Sequence, residues 1–487
     1  MPKRPTRSHA TDDTDSAHPG GPGNPGGAGG PDGAGDPARR DLRPLGDNES
    51  YVPGHGDPRY AVHSYDLDLT VKLAGNHVRG RAELLITPTA PPEESNGELE
   101  RFRLDLHGLK VDGVTVDGKP AKHTRRGDHV HVSPKQPVPA GGQARVVVRY
   151  SGNPSQVRGI DGLAGWEELD DGVIVASQPH GAPSWFPCND RPDDKASYRI
   201  AVSTDAGYRV VANGTLVETV RRSSRVTWVY DQPEPMATYL ATVQIGRYDQ
   251  LDLEHTDGPG GAVPITVHHP ASLLRQVRSG PMARHREMMA AFADAFGPYP
   301  FARYDVVVTP DVLEIPLEAQ TMSIFGRTFV RAGWEQERLV AHELAHQWFG
   351  NAVTLGAWRD IWLHEGFACW SEWLWSERSG GRTAAELARE HHRRLARQPQ
   401  DLYLVDPTPE LMFDDRVYKR GGVLVQALRE HVGDGAFFEF LRGWCARHRF
   451  GTVSTEGFVA QAAAELGLAP DWFDPWLQHR ALPAWGD

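Results

Sequence analysis

A change of hydrophobic period near residue 270 is the feature that most limits how this chain can fold. From about residue 58 to 250, apolar and polar residues alternate in short runs: YAVHSYDLDLTVKL, RGRAELLIT, ARVVVRY, YRIAVST, YRVVANGTLV, SRVTWVYDQ and TYLATVQIG. A period of two puts one set of side chains on one face of a strand. Turn signals such as LAGNH, VDGKP and SGNPS separate the runs, as hairpins require. No long helical period intervenes, so this stretch predicts an antiparallel all-β domain, a sandwich or a saddle-like sheet. Beyond it, SLLRQVRSGPMARHREMMAAFADAFG has helical spacing and predicts a helix that ends at Gly297. RYDVVVTP reads as one strand. Helical patterns follow in WEQERLVAHELAHQWFG, IWLHEGFACWSEWLWSER, TAAELAREHHRRLARQ, KRGGVLVQALREHVG, AFFEFLRGWCARH and STEGFVAQAAAELG. The expected fold class is therefore α+β and multidomain: an N-terminal antiparallel all-β domain over 46–250, then a mostly helical domain over 251–487.

Residues 1–45 stand apart. The stretch HPGGPGNPGGAGGPDGAGDP has almost nothing to bury, so it cannot offset its ordering entropy and predicts a disordered tail. For the rest, 39% hydrophobic and 24% charged residues fit a globular chain. A net charge of −12 argues against a broad basic face and hence against a nucleic-acid partner. No run of about 18 apolar residues exists, so no membrane partner is expected, and the polar N-terminus lacks the apolar core of a secretory signal. Cys188, Cys369 and Cys445 are too few and too scattered for a disulfide framework or a thiolate metal site. They predict reduced thiols in a cytoplasmic protein.

The chemistry centres on His342-Glu343-Leu344-Ala345-His346. Residues four apart share one face of a helix, so both imidazoles can reach one metal ion. Glu343 sits about 100° round the helix from His342, beside the ion rather than on it, which suits a base acting on water. Glu365 follows with eighteen residues between it and His346, among the apolar Trp362, Leu363, Phe367 and Trp370. A buried carboxylate needs a partner, and Glu365 completes a His₂Glu set with an open fourth position, the arrangement of catalytic zinc. Glu372, seven residues on along the same helical face, either orients a ligand histidine or is a plain helix-surface charge. His364 is expected to point away from the ion.

These motifs carry a resemblance. HELAHQWFGNAVT followed by WRDIWLHEGFACWSE, with FGPYPFARYDVVV before and PDWFDPWLQHRALPAW after, is similar to the gluzincin zinc aminopeptidases of the aminopeptidase N and leukotriene hydrolase type. It runs from about Tyr60 to the C-terminus. The second motif usually has Asn where this chain has His364. The resemblance implies that 251–487 is a thermolysin-like zinc peptidase catalytic domain. It also implies a short two-domain member without the family's helical C-terminal domain, using one zinc ion per chain. Further roles follow from it. Family members anchor the substrate's free α-amine on the Glu of a Gly-x-Met-Glu-Asn strand. Here Ile315-Pro316-Leu317-Glu318-Ala319 corresponds, with Glu318 placed 24 positions before His342. Gly, Met and Asn are missing, and Pro316 removes a backbone donor. Glu314 is the alternative anchor, and a structural carboxylate the bland reading of Glu318. Tyr418 resembles the family tyrosine that donates to the tetrahedral oxyanion, unless it only packs. Gln178, in SQPHGAPSWFPCND, falls where the family lines the amino-terminal pocket, unless it is a plain loop glutamine.

The resulting expectation is a zinc aminopeptidase acting on peptides with a free N-terminus, with Glu343 as base. An endopeptidase or an epoxide hydrolase on the same zinc site is the nearer alternative. A non-catalytic binding scaffold is the more distant one, and the presence of Glu343 and Tyr418 argues against it.

Overall fold

The computed structural model describes residues 47–89, 97–160, 162–253 and 263–485. The tail expected over 1–45 lies outside them. An eight-stranded sheet dominates the first half, in the order Thr215–Arg222, Arg225–Met236, Ala196–Asp205, Tyr60–Lys72, His77–Pro88, Ala144–Gly152, Lys110–Val116, Lys119–Pro120. Its pairs are antiparallel except one: Tyr60–Lys72 runs parallel to Ala196–Asp205, with Leu67 opposite Ile200. Burial on the first of these strands follows the alternation read in the sequence, with a phase shift. Tyr60 and Val62 are buried, then Tyr65, Leu67, Leu69 and Val71. The register shift between Val62 and Ser64 accounts for it, because one extra residue turns every later side chain to the other face.

YRVVANGTLV, read as one strand, is two. Arg209–Ala212 joins a five-stranded sheet and Thr215–Arg222 the eight-stranded one. The chain turns between them at Gly214, whose φ is +86° and which has no room for a Cβ beside the Asp231 carbonyl. The turn signal Asn-Gly lay inside the run.

The second half begins on another five-stranded sheet, ordered Asp249–Leu253, Ile265–His269, Tyr304–Val308, Met322–Phe325, Leu317–Ala319. The helix expected up to Gly297 is interrupted: Leu274–Ser279 and His285–Phe296 are separate. Gly280 packs its backbone against the Val330 carbonyl and leaves no space for a Cβ. Pro281 then supplies no N–H to a continuing helix. The second segment stops at Gly297 as expected, with φ +95°. Beyond the sheet come the helices Trp334–Ala345, Trp362–Arg378, Ala384–Leu395, Asp415–Val432, Asp434–Arg447 and Thr455–Leu466. Trp362–Arg378 is the central one, buried from Trp362 through Ser376. It meets Asp415–Val432 at Gly366 and Gly421, where a Cβ on Gly366 would lie 2.7 Å from Cα of Gly421. The three cysteines are buried and form no disulfide. No helix among the described residues is long and apolar enough to cross a membrane.

Candidate active site

The helix Trp334–Ala345 carries His342 and Glu343. His346 is its cap residue and keeps helical geometry (φ −56°, ψ −22°). The two imidazoles therefore stay on one face, ring centroids 4.8 Å apart. Oε2 of Glu365, in the first turn of Trp362–Arg378, lies 3.3 Å from Nε2 of His342 and 3.5 Å from Nε2 of His346. The other ring nitrogens are already engaged. Nδ1 of His342 lies 2.8 Å from Oε1 of Glu372, and Nδ1 of His346 donates to the Phe349 carbonyl at 3.0 Å. Both rings thus offer their Nε2 lone pairs to the same point. One donor atom from each of His342, His346 and Glu365 falls within 4.8 Å of the others. Two imidazoles, one carboxylate and an outer carboxylate on a ring nitrogen fit zinc.

Electrostatics support the same use. Burial alone would lower the imidazoles, but the surrounding carboxylates outweigh it and raise His342 to about 9 and His346 to about 10. Burial alone would raise Glu365, but the two histidines hold it well below the usual carboxylate range. The same negative field favours a divalent cation at the Nε2 atoms, where it would displace their protons.

Glu343 is 4% exposed, and its Oε2 has no hydrogen-bond partner. Burial pushes its carboxyl up to about 8; His342 opposes this and Glu318 adds to it. Glu318 sits on the edge strand Leu317–Ala319, opposite Ser323. One of its carboxylate oxygens lies within 4.8 Å of donor atoms on Glu343 and His346. Burial raises its carboxyl, His346 opposes this, and Glu365 adds to the rise. Three carboxylates thus gather around His346, an arrangement that calls for cations. Glu314 is exposed, so of the two anchor candidates it is Glu318 that joins the cluster.

Tyr418 opens the helix Asp415–Val432, whose N-terminus Asp414 caps through the Arg416 N–H. Its ring lies nearly parallel to His342, 18° between planes and 6.0 Å between centroids. Gln178 is half-buried, just after the β-domain strand Gly172–Ala176. His364 points away from the cluster: its Nε2 accepts the Leu355 N–H at 2.9 Å, and burial holds the ring neutral, at about 3.

Other residues had no distinct signal in the sequence. Tyr239, inside the run TYLATVQIG, is not on a strand. Its hydroxyl donates to the Gly350 carbonyl at 2.8 Å, and it feels the charges of Glu318 and Glu365. Gln347 and Asn351, inside the HELAHQWFGN motif, both donate to the Ala319 carbonyl, at 3.0 and 2.9 Å. Glutamine or asparagine after a metal helix is legible only once the strand beside it is known.

Comparison with known proteins agrees with this geometry. Residues 61–240 match the peptidase M1 N-terminal domain and residues 281–476 the peptidase family M1 domain. Aminopeptidase M1-A of Oryza sativa subsp. japonica is 26% identical over 447 residues, covering 85% of this chain and 49% of that protein. The leucyl aminopeptidase of Saccharolobus solfataricus is 26% identical over 375 residues, covering 71% of this chain and 45% of that one. The chain thus spans about half the length of these relatives. The crystal structure of an M1 zinc metallopeptidase from Deinococcus radiodurans superposes with a TM-score of 0.81 at 29% identity, over 91% of this chain and all of that one. A mutant of that protein has been crystallised with a Tyr-Ser-Ala substrate. With both domains matched in order along one chain, and the fold shared over nearly its whole described length, this protein belongs to peptidase family M1.

Proposed function

We propose that the protein is a zinc-dependent aminopeptidase that removes the N-terminal residue from peptides whose α-amine is free. One observation carries the reading: Glu318 and Glu343, whose Oε2 has no hydrogen-bond partner, both group with His346 of the His342–His346–Glu365 cluster. An anchor for an ammonium group and a base for water then lie within one residue's reach of the metal position.

In this reading His342, His346 and Glu365 hold one zinc ion, which supplies Lewis acidity to the scissile carbonyl and to water. Glu318 binds the α-ammonium group and so places the first peptide bond at the cluster. An anchored terminus turns a general peptidase site into one that counts a single residue. Glu343 accepts a proton from the attacking water on its Oε2 and passes it to the leaving amine. Tyr418, beside His342, donates its hydroxyl proton in a hydrogen bond to the developing oxyanion. Gln178 contributes from the β domain to the amine pocket. The Deinococcus metallopeptidase, crystallised with a tripeptide, supports peptides as the substrate class.

The test is a panel of aminoacyl fluorogenic amides, each offered free and N-acetylated. Hydrolysis of the free amides with acetylated ones nearly inert is the expected result. Equal rates on both would make the enzyme an endopeptidase. No hydrolysis of either by zinc-loaded protein would overturn the reading.

A further inference from the structure

Lys195 stands at the entry to the β-domain strand Ala196–Asp205, yet its side chain belongs to the other half of the molecule. Its Nζ donates to the carbonyls of Asn351 and Ala352, both at 3.2 Å, to Thr354 Oγ1 at 2.7 Å and to the Gly451 carbonyl at 3.4 Å. Four oxygens share three protons, and all four are neutral. Burial pulls the amine down to about 7, with no carboxylate opposing it. A half-buried amine held only by neutral oxygens is an expensive way to fill space.

Three of the four oxygens it grips, those of Asn351, Ala352 and Thr354, lie on the turn that follows His346. That turn is held from the β domain a second time, by the Tyr239 hydroxyl on the Gly350 carbonyl. On its far side the turn holds the edge strand: Asn351 Nδ2 donates to the Ala319 carbonyl, and Gln347 bonds both the Ala319 carbonyl and the Thr321 N–H. Ala319 is the residue after Glu318. The edge strand is only three residues long and pairs with one neighbour, so its own ladder fixes its register weakly. An unbroken chain of hydrogen bonds therefore runs from Lys195, through the turn and Asn351, to the strand that carries the amine anchor.

We propose that Lys195 is a positioning residue: from the β domain it sets the placement of Glu318 against the metal cluster and so tunes the grip on the substrate's α-amine. This rests on the aminopeptidase reading above, and the measurements separate the two. The zinc-loaded full chain is compared as wild type, Lys195→Met, Asn351→Ala, Glu318→Ala, and the pairs Lys195→Met/Glu318→Ala and Asn351→Ala/Glu318→Ala. Two quantities are read: KM and kcat on a free-amine aminoacyl amide, and the Kd of free L-leucine by calorimetry, which needs no turnover. Lys195→Met should raise KM and Kd about 5- to 10-fold, with kcat within about twofold and zinc content unchanged. The effect should vanish on the Glu318→Ala background, as coupling through one strand requires. Asn351→Ala should do the same, and it decides the matter if Lys195→Met does not fold. Wild-type KM and Kd in these variants, or effects that simply add to that of Glu318→Ala, would overturn the proposal. Failure of the aminopeptidase reading would appear instead in the wild type, as no turnover of free-amine substrates. The leucine Kd cycle would then still decide the role of Lys195.

Discussion

The carboxylate of Glu372 reaches Nδ1 of His342 at 2.8 Å with one oxygen and the Arg338 guanidinium at 3.1 Å with the other. Arg338 and Lys419 outweigh burial and keep Glu372 well below the usual carboxylate range, so it acts as a fixed acceptor that turns the ring's Nε2 toward Glu365. Removing such an outer partner typically costs about 10- to 100-fold in metal affinity. Glu372→Ala should therefore weaken zinc binding by that factor, measured by chelator competition. Unchanged affinity would mean that helix packing alone orients His342.

Glu343→Gln should retain zinc and lose most of its turnover. The substitution keeps the shape of the side chain and removes its basicity at Oε2, the atom without a partner. Loss of a general base costs about 10²- to 10⁴-fold in rate. Metal analysis together with kcat on a free-amine amide checks this, and near wild-type turnover at full zinc content would refute it.

Glu365→Ala should fail differently, losing the metal itself. It leaves two imidazoles, and Glu318 and Glu343 group with His346 but not with His342. Dialysis against a weak chelator followed by zinc determination is the measurement; full retention would assign the third ligand elsewhere.

An acid-stability effect should arise at a histidine outside the cluster. His285 is fully buried: Nδ1 donates to the Met282 carbonyl at 2.8 Å, and Nε2 has no partner. Burial lowers its pKa to about 4, against about 6.5 in an unfolded chain. Between these values the unfolded state binds more protons, so this contribution is intact above about pH 6.5 and declines as pH falls toward 4. Going from pH 7 to 5 should cost about 2 kcal/mol through this residue. His285→Leu should show that much less loss over the same step in urea unfolding. An identical pH dependence in the two proteins would show that the ring is charged in the native state.

How much of this was readable in the residues depended on how local each relationship is. His342, Glu343 and His346 share one helical turn, so their spacing alone implied a common face. Glu365 was readable because its apolar neighbours marked a buried carboxylate. The β runs were readable by alternation, although the bulge at Val62–Ser64 and the Asn-Gly turn inside YRVVANGTLV altered what a uniform period implied. Tyr418 and Gln178 needed the resemblance, since no spacing links residues so far apart in sequence. Lys195, Tyr239 and Asn351 were silent because their partners are mostly backbone carbonyls, which carry no residue identity. The parallel pairing of Tyr60–Lys72 with Ala196–Asp205 was equally hidden, since period two is the same in either direction.

The contact between Gly366 and Gly421 bears on how this site can vary. One helix carries Glu365 immediately before the contact, and the other carries Tyr418 three residues before it. Since neither glycine has a side chain, backbone touching backbone gauges the spacing between the helix that carries Glu365 and the one that carries Tyr418. A gauge made of main chain does not drift when surrounding side chains are exchanged. Even a methyl group at either position would act as a shim, lifting the tyrosine away from the imidazole it lies against. In the proposed reading, side chains around these helices can therefore be exchanged while the spacing of Glu365 and Tyr418 stays constant.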